Sequence, residues 1–206
     1  MKKQCRLWLL IGIGLFFATV TQAASYKVNL IVFKYASPNT SAENWPTVPV
    51  IPPFMNTISI GQSSPIEQDE TSPLYTLLSE REAGLQFEAS RLKAQTDRDY
   101  TILLHTAWIQ PIGPISQTGK WVHVIAGKIY NDINAYEFNG FIRFSKNGFF
   151  NIDSKLYLTE PKSALNIPSD SNYVIIPIED HRHTKINEIN YIDHPLLGML
   201  IQITPA

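Results

Sequence analysis

Cysteine is nearly absent from this chain: its 206 residues include one, Cys5. Cys5 precedes an uncharged apolar run, Leu7–Val20, which follows three basic residues and leads into the small residues of Thr21–Ala24. This order is typical of a secretory signal peptide, and we expect residues 1–24 to be cleaved on export. The alternative is a retained N-terminal anchor, although the run is shorter than the about 20 residues that span a membrane. A mature chain without cysteine would contain no disulfide, no catalytic thiol and no thiolate metal site.

The chain also lacks an excess of basic residues. Cleavage removes three of the 17 Lys and Arg residues and none of the 18 acidic ones, which leaves a net charge of −4. Because no surplus positive charge exists to neutralise phosphates, we expect no nucleic-acid partner. About 180 residues remain, which is the size of one ordinary domain, so we expect residues 25–206 to form a single domain.

Sequence motifs of catalysis are missing as well. The chain contains no G-x-S-x-G stretch, no Walker loop and no G-x-G-x-x-G. Asp193 and His194 are adjacent, and neighbours on an extended chain point to opposite faces, so this pair predicts a turn and not a catalytic dyad. Two of the 18 acidic residues could converge in space for glycan hydrolysis, but the sequence points to no particular pair. The residues leave an enzyme possible but give no support for one, and they single out no catalytic residue.

Five histidines raise the possibility of a metal site. His181 and His183 could chelate a cation from one side of a strand, but Arg182 between them repels cations and no third ligand follows at a recognisable spacing. Solvated histidines are the favoured interpretation. His105 and His123 each lie in an apolar strand pattern, where a hydrogen-bonded core histidine is commoner than a catalytic one. We expect no metal and no cofactor.

What the chain does contain is alternating and apolar runs that predict about seven strands. Eight segments carry such runs: Tyr26–Tyr35, Asp99–Gln110, Trp121–Tyr130, Phe141–Phe144, Phe149–Leu158, Tyr173–Ile178, Ile186–Asp193 and Leu196–Thr204. The first is apolar on both faces, which favours an interior strand. Pro177 predicts a sheet edge for its strand. The dense apolar run that closes the chain predicts a strand locked into the core and entered through a turn at Pro195.

Two hairpins are predicted. The strand ending at Gln110 and the strand beginning at Trp121 are separated by a short loop and are expected to pair. The second hairpin turns at Gly148. Burial of one apolar face there favours a three-residue loop, which pairs Phe144 with Phe150.

The remaining segments are a proline-rich arm and a helix. Ala36–Pro73 carries seven prolines, which forbid a long helix or a central strand. We favour an arm pinned to the surface over a mobile segment; its anchors would be Trp45, Phe54, Met55 and Ile58. Ser72–Pro73 then predicts the start of a helical segment that continues to Leu92, with Gly84 as a possible break. The predicted class is α+β: a mostly antiparallel sheet of about seven strands with one helical segment packed on it.

Four segments of the chain resemble the CsiV family of exported peptidoglycan-binding proteins of Gram-negative bacteria. They are YKVNLIVFKY at Tyr26–Tyr35, ENWP at Glu43–Pro46, YTILLHTAWIQP at Tyr100–Pro111 and NYIDHPLLGMLIQITP at Asn190–Pro205. They occur in the family's order and bracket nearly the whole mature chain. The chain departs from the family pattern at three places: Asn29 replaces a usual acidic residue, Asn190 a frequent histidine, and the run at 181–183 an arginine-rich turn.

The resemblance implies a non-enzymatic periplasmic accessory of cell-wall synthesis and cell shape that binds peptidoglycan. It also implies a link to the outer-membrane lipoprotein activator (LpoA) of a bifunctional penicillin-binding protein. The alternative is an interaction module that docks a cell-wall synthesis partner without binding glycan. Candidate binding residues rest on side-chain chemistry alone. They are Trp108, Trp121 and Tyr191 as flat faces for sugar rings, and Arg182 for the carboxylates of peptide stems.

Overall fold

The computed structural model describes residues 23–36, 46–61, 74–95, 100–165 and 171–206. Within them lie ten strands and three helices. The strands are β1 (Ser25–Tyr35), β2 (Thr57–Gly61), β3 (Thr76–Leu78), β4 (Tyr100–Pro111), β5 (Trp121–Tyr130), β6 (Ala135–Asn147), β7 (Phe149–Pro161), β8 (Tyr173–Thr184), β9 (Ile189–His194) and β10 (Leu197–Pro205); the helices are α1 (Gln86–Gln95), α2 (Ile115–Thr118) and α3 (Lys162–Leu165). No helix within these five ranges is long and apolar enough to cross a membrane. Residues 1–22 of the predicted signal peptide, Trp45 and the Ser72–Pro73 cap lie outside the described residues.

The strands form two five-stranded sheets and not one. Sheet A has the order β3-β4-β1-β10-β9 and is antiparallel throughout. Sheet B has the order β2-β5-β6-β7-β8; β2 pairs with β5 in parallel and the other pairs are antiparallel. The prediction of a single sheet of about seven strands with one helical segment is therefore wrong. An alternating pattern shows that one face of a strand is buried, but it does not show which element buries it.

The main core lies between the two sheets. Alternate side chains of each strand point inward and pack against those of the facing sheet. The inward-facing side chains include Val28, Leu30, Val32, Trp108, Met199, Ile201 and Ile203 from sheet A, and Val122, Val124, Ile142, Phe144, Ile152, Leu156 and Ile176 from sheet B. Their burial removes most of the large apolar side chains of the strands from water.

The β1 strand is buried on both faces, as its sequence predicts. It lies at the centre of sheet A between β4 and β10. Its inner face joins the main core, while Ile31 and Phe33 on the outer face pack against Leu85 and Ala89 beside and within α1. The closing strand β10 is also interior, between β1 and β9, and its prediction as a core strand is confirmed.

The predicted helical segment is correct only in its second half. Residues 76–78 form the short edge strand β3, and the helix begins at Gln86. Leu85, just before the helix, has a positive φ of 61°, which interrupts the helical backbone conformation. Gly84 is held in place there, because its N–H donates to Asn29 Oδ1 at 2.8 Å and its carbonyl accepts from His105 Nε2 at 2.8 Å. Asn29 is thus buried against its own chain, so this departure from the family pattern does not lie on a binding surface.

The predicted hairpin between β4 and β5 is wrong. The two strands belong to different sheets, and β5 pairs with β2 and β6 instead. Between them the chain passes through Gly113 and α2, where Thr118 Oγ1 accepts a hydrogen bond from the Gly113 N–H at 2.9 Å. This turn carries the chain from sheet A across to sheet B.

The β6–β7 hairpin forms, but its register differs by two residues from the expected one. Phe144 lies opposite Ile152, and Asn147 lies opposite Phe149 across a turn at Gly148, whose φ is 80°. A shift of two residues keeps the same side chains on the buried face. The buried face of each strand was predicted correctly because burial determines it. The turn was not predicted correctly, since it is tighter than the expected three-residue loop.

The described part of the proline-rich arm, residues 46–61, runs across sheet B. Val48 N–H donates to the Ile175 carbonyl on β8 at 2.9 Å, and β2 pairs with β5 on the other side. Between these points Phe54 stacks on Phe141 of β6, with ring centroids 3.9 Å apart. The arm thus covers part of the outer face of sheet B. Met55, a predicted anchor, is instead exposed.

Candidate functional site

The outer face of sheet B carries a row of side chains that crosses four neighbouring strands. Pairing places Trp121 of β5 beside Arg143 of β6. It also places Arg143 beside Asp153 of β7, and Asp153 beside His181 of β8. Neighbouring strands lie about 4.8 Å apart, so the row extends about 14 Å across the sheet. Residues far apart in the chain are therefore brought into one line by register alone.

Direct contacts join this row from end to end. The Arg143 guanidinium lies 4.5 Å from the Trp121 ring centroid, a cation–π distance. Its Nε and Nη2 atoms donate to Asp153 Oδ2 at 3.2 and 3.0 Å. His181 Nδ1 lies 2.5 Å from Asp153 Oδ1. Both oxygens of one carboxylate are thus engaged, which fixes its orientation.

Asp153 is held in its ionised form. Partial burial acts to raise its pKa, but hydrogen bonds from His181 and Arg143, together with their charge, outweigh burial and hold the pKa below its usual range. Asp153 is consequently a carboxylate that accepts hydrogen bonds at neutral pH and not a proton donor.

A second row lies next to the first on the same face. Lys155 Nζ and Glu179 Oε1 form an ion pair at 3.0 Å between β7 and β8. Further along this row the ring of His123 stacks on Phe141, with centroids 4.3 Å apart, and its Nε2 donates to Asn139 Oδ1 at 3.2 Å. Burial lowers the pKa of His123, so this ring is neutral at pH 7. The prediction of a hydrogen-bonded, packed histidine is confirmed here, as it is for His105.

The two rows line a groove of about 320 Å³, which we call the sheet B groove. Its lining includes Trp121, Arg143, Asp153, Lys155, Glu179 and His181. Its volume is at the lower end of the range for small-ligand sites, about 300–1,000 Å³. The groove combines one indole ring with charged groups of both signs, on strands that hold them rigidly.

Two of the predicted binding residues lie on sheet B, but only one is in the groove. Trp121 lines it. Arg182 neighbours His181 on β8 and therefore points to the opposite side of the strand. There its Nη2 donates to Asp180 Oδ2 at 2.9 Å.

The other two predicted residues lie elsewhere. Trp108 is fully buried in the main core, where its Nε1 donates to Gln110 Oε1 at 2.7 Å. It has no exposed ring face and we assign it a packing role. Tyr191 is 43% exposed, but on the outer face of sheet A. The structure therefore does not bring the four candidates together in one site.

Tyr191 belongs to a separate aromatic cluster. Its hydroxyl and that of Tyr35 lie 2.5 Å apart, and both lie 2.8 Å from Asp193 Oδ1. Partial burial and these contacts raise the pKa of Tyr191 above its usual range. The Tyr191 ring also stacks in parallel on Phe33. The Asp193 carboxylate thus accepts hydrogen bonds from tyrosine hydroxyls.

Sequence reasoning missed most of the groove. Arg143, Asp153 and Lys155 are the polar positions of two strands whose alternate positions are apolar, so each one looks like an ordinary solvated residue. His181 was considered only as a metal ligand. Among the described residues, no group of three or more His, Cys, Asp and Glu side chains is placed to hold a metal ion. The groove could have been predicted only from the register of β5 to β8, because that register places these polar residues side by side.

A second cluster of charges is buried and joins the two sheets. Lys34 of β1 donates to Glu137 of β6 and to Glu160 of β7, each at 2.6 Å. Both glutamates are at most 5% exposed. A bulge in β5 helps to hold them, because the Lys128 N–H donates to Glu137 Oε2 at 2.9 Å beside Gly127. We call this the Lys34 cluster.

Comparison with known proteins gives one family. The family's sequence profile, described as "Peptidoglycan-binding protein, CsiV", matches residues 5–206. Neither the curated proteins nor the solved structures contain a match to this chain. Since the match covers nearly the whole chain and agrees with the resemblance of its four segments, the chain belongs to the CsiV family.

Proposed function

We propose that this protein is a non-enzymatic periplasmic protein that binds peptidoglycan and supports cell-wall synthesis and cell shape. The sheet B groove is the observation that carries the proposal: a concave site of about 320 Å³ with an indole ring and charges of both signs. The sugars of peptidoglycan have apolar ring faces, and its peptide stems have carboxylates and amines. The carboxylates and amines of the stems have chemical counterparts among the charged groove side chains.

The state of the groove carboxylates supports binding over hydrolysis. A glycosidase needs a carboxylic acid whose pKa is raised so that it can protonate the leaving group. The pKa of Asp153 is instead held low by His181 and Arg143, and Glu179 is paired with Lys155. The export pattern of residues 1–24 supports the periplasmic location, where peptidoglycan is found.

Co-sedimentation with isolated peptidoglycan sacculi tests this proposal. Residues 25–206 should pellet saturably with sacculi at both low and high salt. Trp121→Ala should weaken the binding about tenfold or more, because the variant removes the wall of the groove that Arg143 packs on. Tyr191→Ala is the matched control, since it removes an aromatic side chain from the outer face of the other sheet. Thermal unfolding should show that both variants fold.

A second function is favoured by the outer face of sheet A. The edge strand β9 exposes Ile189 and Tyr191, which are 41% and 43% exposed, beside a strand edge that pairs with no other strand in the described part of the chain. Such an edge can receive a strand from a protein partner. The candidate partner is an outer-membrane lipoprotein activator of a penicillin-binding protein. If the chain does not pellet with sacculi while Tyr191→Ala abolishes capture of that activator, this docking function replaces the first.

A further inference from the structure

The indole in the sheet B groove is not an open platform for a sugar. The Arg143 guanidinium lies over the Trp121 ring, 4.5 Å from its centroid. Phe54 of the arm approaches the same ring edge-on, with centroids 5.3 Å apart. A sugar stacks on a bare ring face, so Trp121 is better placed to position Arg143 than to receive a pyranose ring.

Charges of opposite sign alternate in both directions within the groove. Along β7, Asp153 is followed by Lys155 on the same face; along β8, Glu179 is followed by His181. Across the strands, Asp153 faces His181 and Lys155 faces Glu179. Residues two apart on a strand are about 6.6 Å apart. A ligand that carries only negative charge meets the carboxylates of Asp153 and Glu179 there, with Asp180 also in the lining. A ligand with both an acid and an amine a few ångströms apart matches the pattern.

The two ion pairs differ in how readily they can exchange partners. Asp153 has both oxygens engaged and its side chain is 25% exposed. In the other pair, the side chains of Lys155 and Glu179 are 38% and 62% exposed. A solvated pair of this kind contributes little to stability, so it can open at small cost when a ligand offers each side chain a new partner. Lys155 would then bind a carboxylate and Glu179 an ammonium group.

We propose that the sheet B groove binds the peptide stem of peptidoglycan and not its glycan strand. Its ligand is a free amino-acid end with a carboxylate and an ammonium group, held by Lys155 and Glu179 beside the fixed Arg143–Asp153 pair. This inference rests on the proposed function. The groove volume suits a part of a stem and is small for a disaccharide with its stem attached.

The test compares intact sacculi with sacculi whose stems have been removed by an amidase that cleaves between glycan and peptide. Residues 25–206 should bind intact sacculi and lose at least tenfold in affinity for the stripped glycan. A soluble stem peptide that ends in a diamino acid with a free amine and carboxylate should compete. The same peptide with its amine acetylated should compete at least tenfold less well.

Variants locate the effect in the groove. Lys155→Gln and Glu179→Gln should each weaken binding to intact sacculi about tenfold. Lys93→Gln on α1 is the matched control, because Lys93 also forms an exposed pair with a glutamate, Glu80, at 3.6 Å. The double variant Lys155→Glu with Glu179→Lys keeps the net charge and the opposite pair but reverses its direction. The double variant should fold like the parent chain but bind intact sacculi weakly. If the pair had only a structural role, reversing it would leave binding unchanged.

Two results overturn the inference and have different meanings. Equal binding to stripped glycan and intact sacculi, or parent-like binding by both neutral variants, would overturn stem recognition and leave peptidoglycan binding in place. No binding to intact sacculi would overturn the proposed function as well.

Discussion

The Lys34 cluster and the sheet B groove are both built around charged side chains, and they behave differently. Each has one charged side chain between two partners: the cation Lys34 binds Glu137 and Glu160, and the anion Asp153 binds Arg143 and His181. The first lies between the sheets, with both carboxylates at most 5% exposed and the Lys34 side chain 24% exposed. The second faces solvent. Burial therefore makes one cluster a structural bridge and leaves the other open to binding.

The largest effect is expected from breaking the buried bridge. Lys34→Met leaves two carboxylates without their cation between the sheets, and removing one partner of a buried ion pair costs about 3–5 kcal/mol. The free energy of unfolding from urea titration measures the loss. Lys155→Met is the matched control in the groove and should cost less than about 1 kcal/mol, because its pair is solvated. Equal losses of unfolding free energy in the two variants would show that burial is not what makes the two clusters differ.

A smaller effect is expected from the bulge beside the buried glutamates. Gly127 has φ of 77°, and a Cβ added there would lie 2.6 Å from Glu137 Oε2. Gly148 has nearly the same φ, 80°, but no described atom lies within 4 Å of its added Cβ. Left-handed backbone costs a side-chain-bearing residue about 1–2 kcal/mol at either position. Gly127→Ala should therefore lose at least about 1 kcal/mol more than Gly148→Ala, because it also displaces the carboxylate.

Urea unfolding of both glycine variants checks this difference. If Gly148→Ala lost as much stability as Gly127→Ala, the bulge would contribute only its backbone conformation and would not support the Lys34 cluster.

The smallest effects are expected in the pH dependence of stability, where the two clusters should have opposite signs. Burial raises the pKa of Glu160 despite the nearby Lys34, so its contribution is present below the unfolded pKa of about 4.3 and is lost as pH rises through the folded value. The pKa of Asp153 is lowered, so its contribution is present above about 3.9 and is lost as pH falls through the folded value.

Unfolding free energies of the parent chain, Glu160→Gln and Asp153→Asn between about pH 2.5 and 7 measure these contributions. The parent chain should lose stability relative to Glu160→Gln as pH rises. Its advantage over Asp153→Asn should be complete at pH 7 and disappear at the acid end. Curves that change in the same direction for both variants would contradict the comparison.

The sequence predicts strands better than it predicts their partners. β1 and β10 could be identified because apolar residues on both faces admit only an interior position. β4 and β5 could not be assigned to different sheets, since the loop between Pro111 and Trp121 is short enough for a hairpin. No residue in that loop indicates that the chain passes from one sheet to the other. The described part of the proline-rich arm, residues 46–61, was correctly excluded from the centre of a sheet, and β2 lies at an edge.

The candidate site was harder to predict for a related reason. Trp108 and Trp121 both occur in apolar strands, and only the packing of the sheets separates a core tryptophan from a groove tryptophan. The four side chains of the groove's first row come from four strands, and each strand shows only that a polar residue faces outward. Their convergence depends on register, and even the register of the clearest hairpin was two residues away from that expected.

The pairing of β1 with β10 has a consequence for the order of folding. Thr204 Oγ1 donates to the Lys27 carbonyl across 177 residues of sequence, and β1 pairs with β4 on its other side. Sheet A thus remains without its central pair until the last strand has been synthesised. Contacts so distant in sequence slow folding to the millisecond-to-second range, because a long loop must close before they can form.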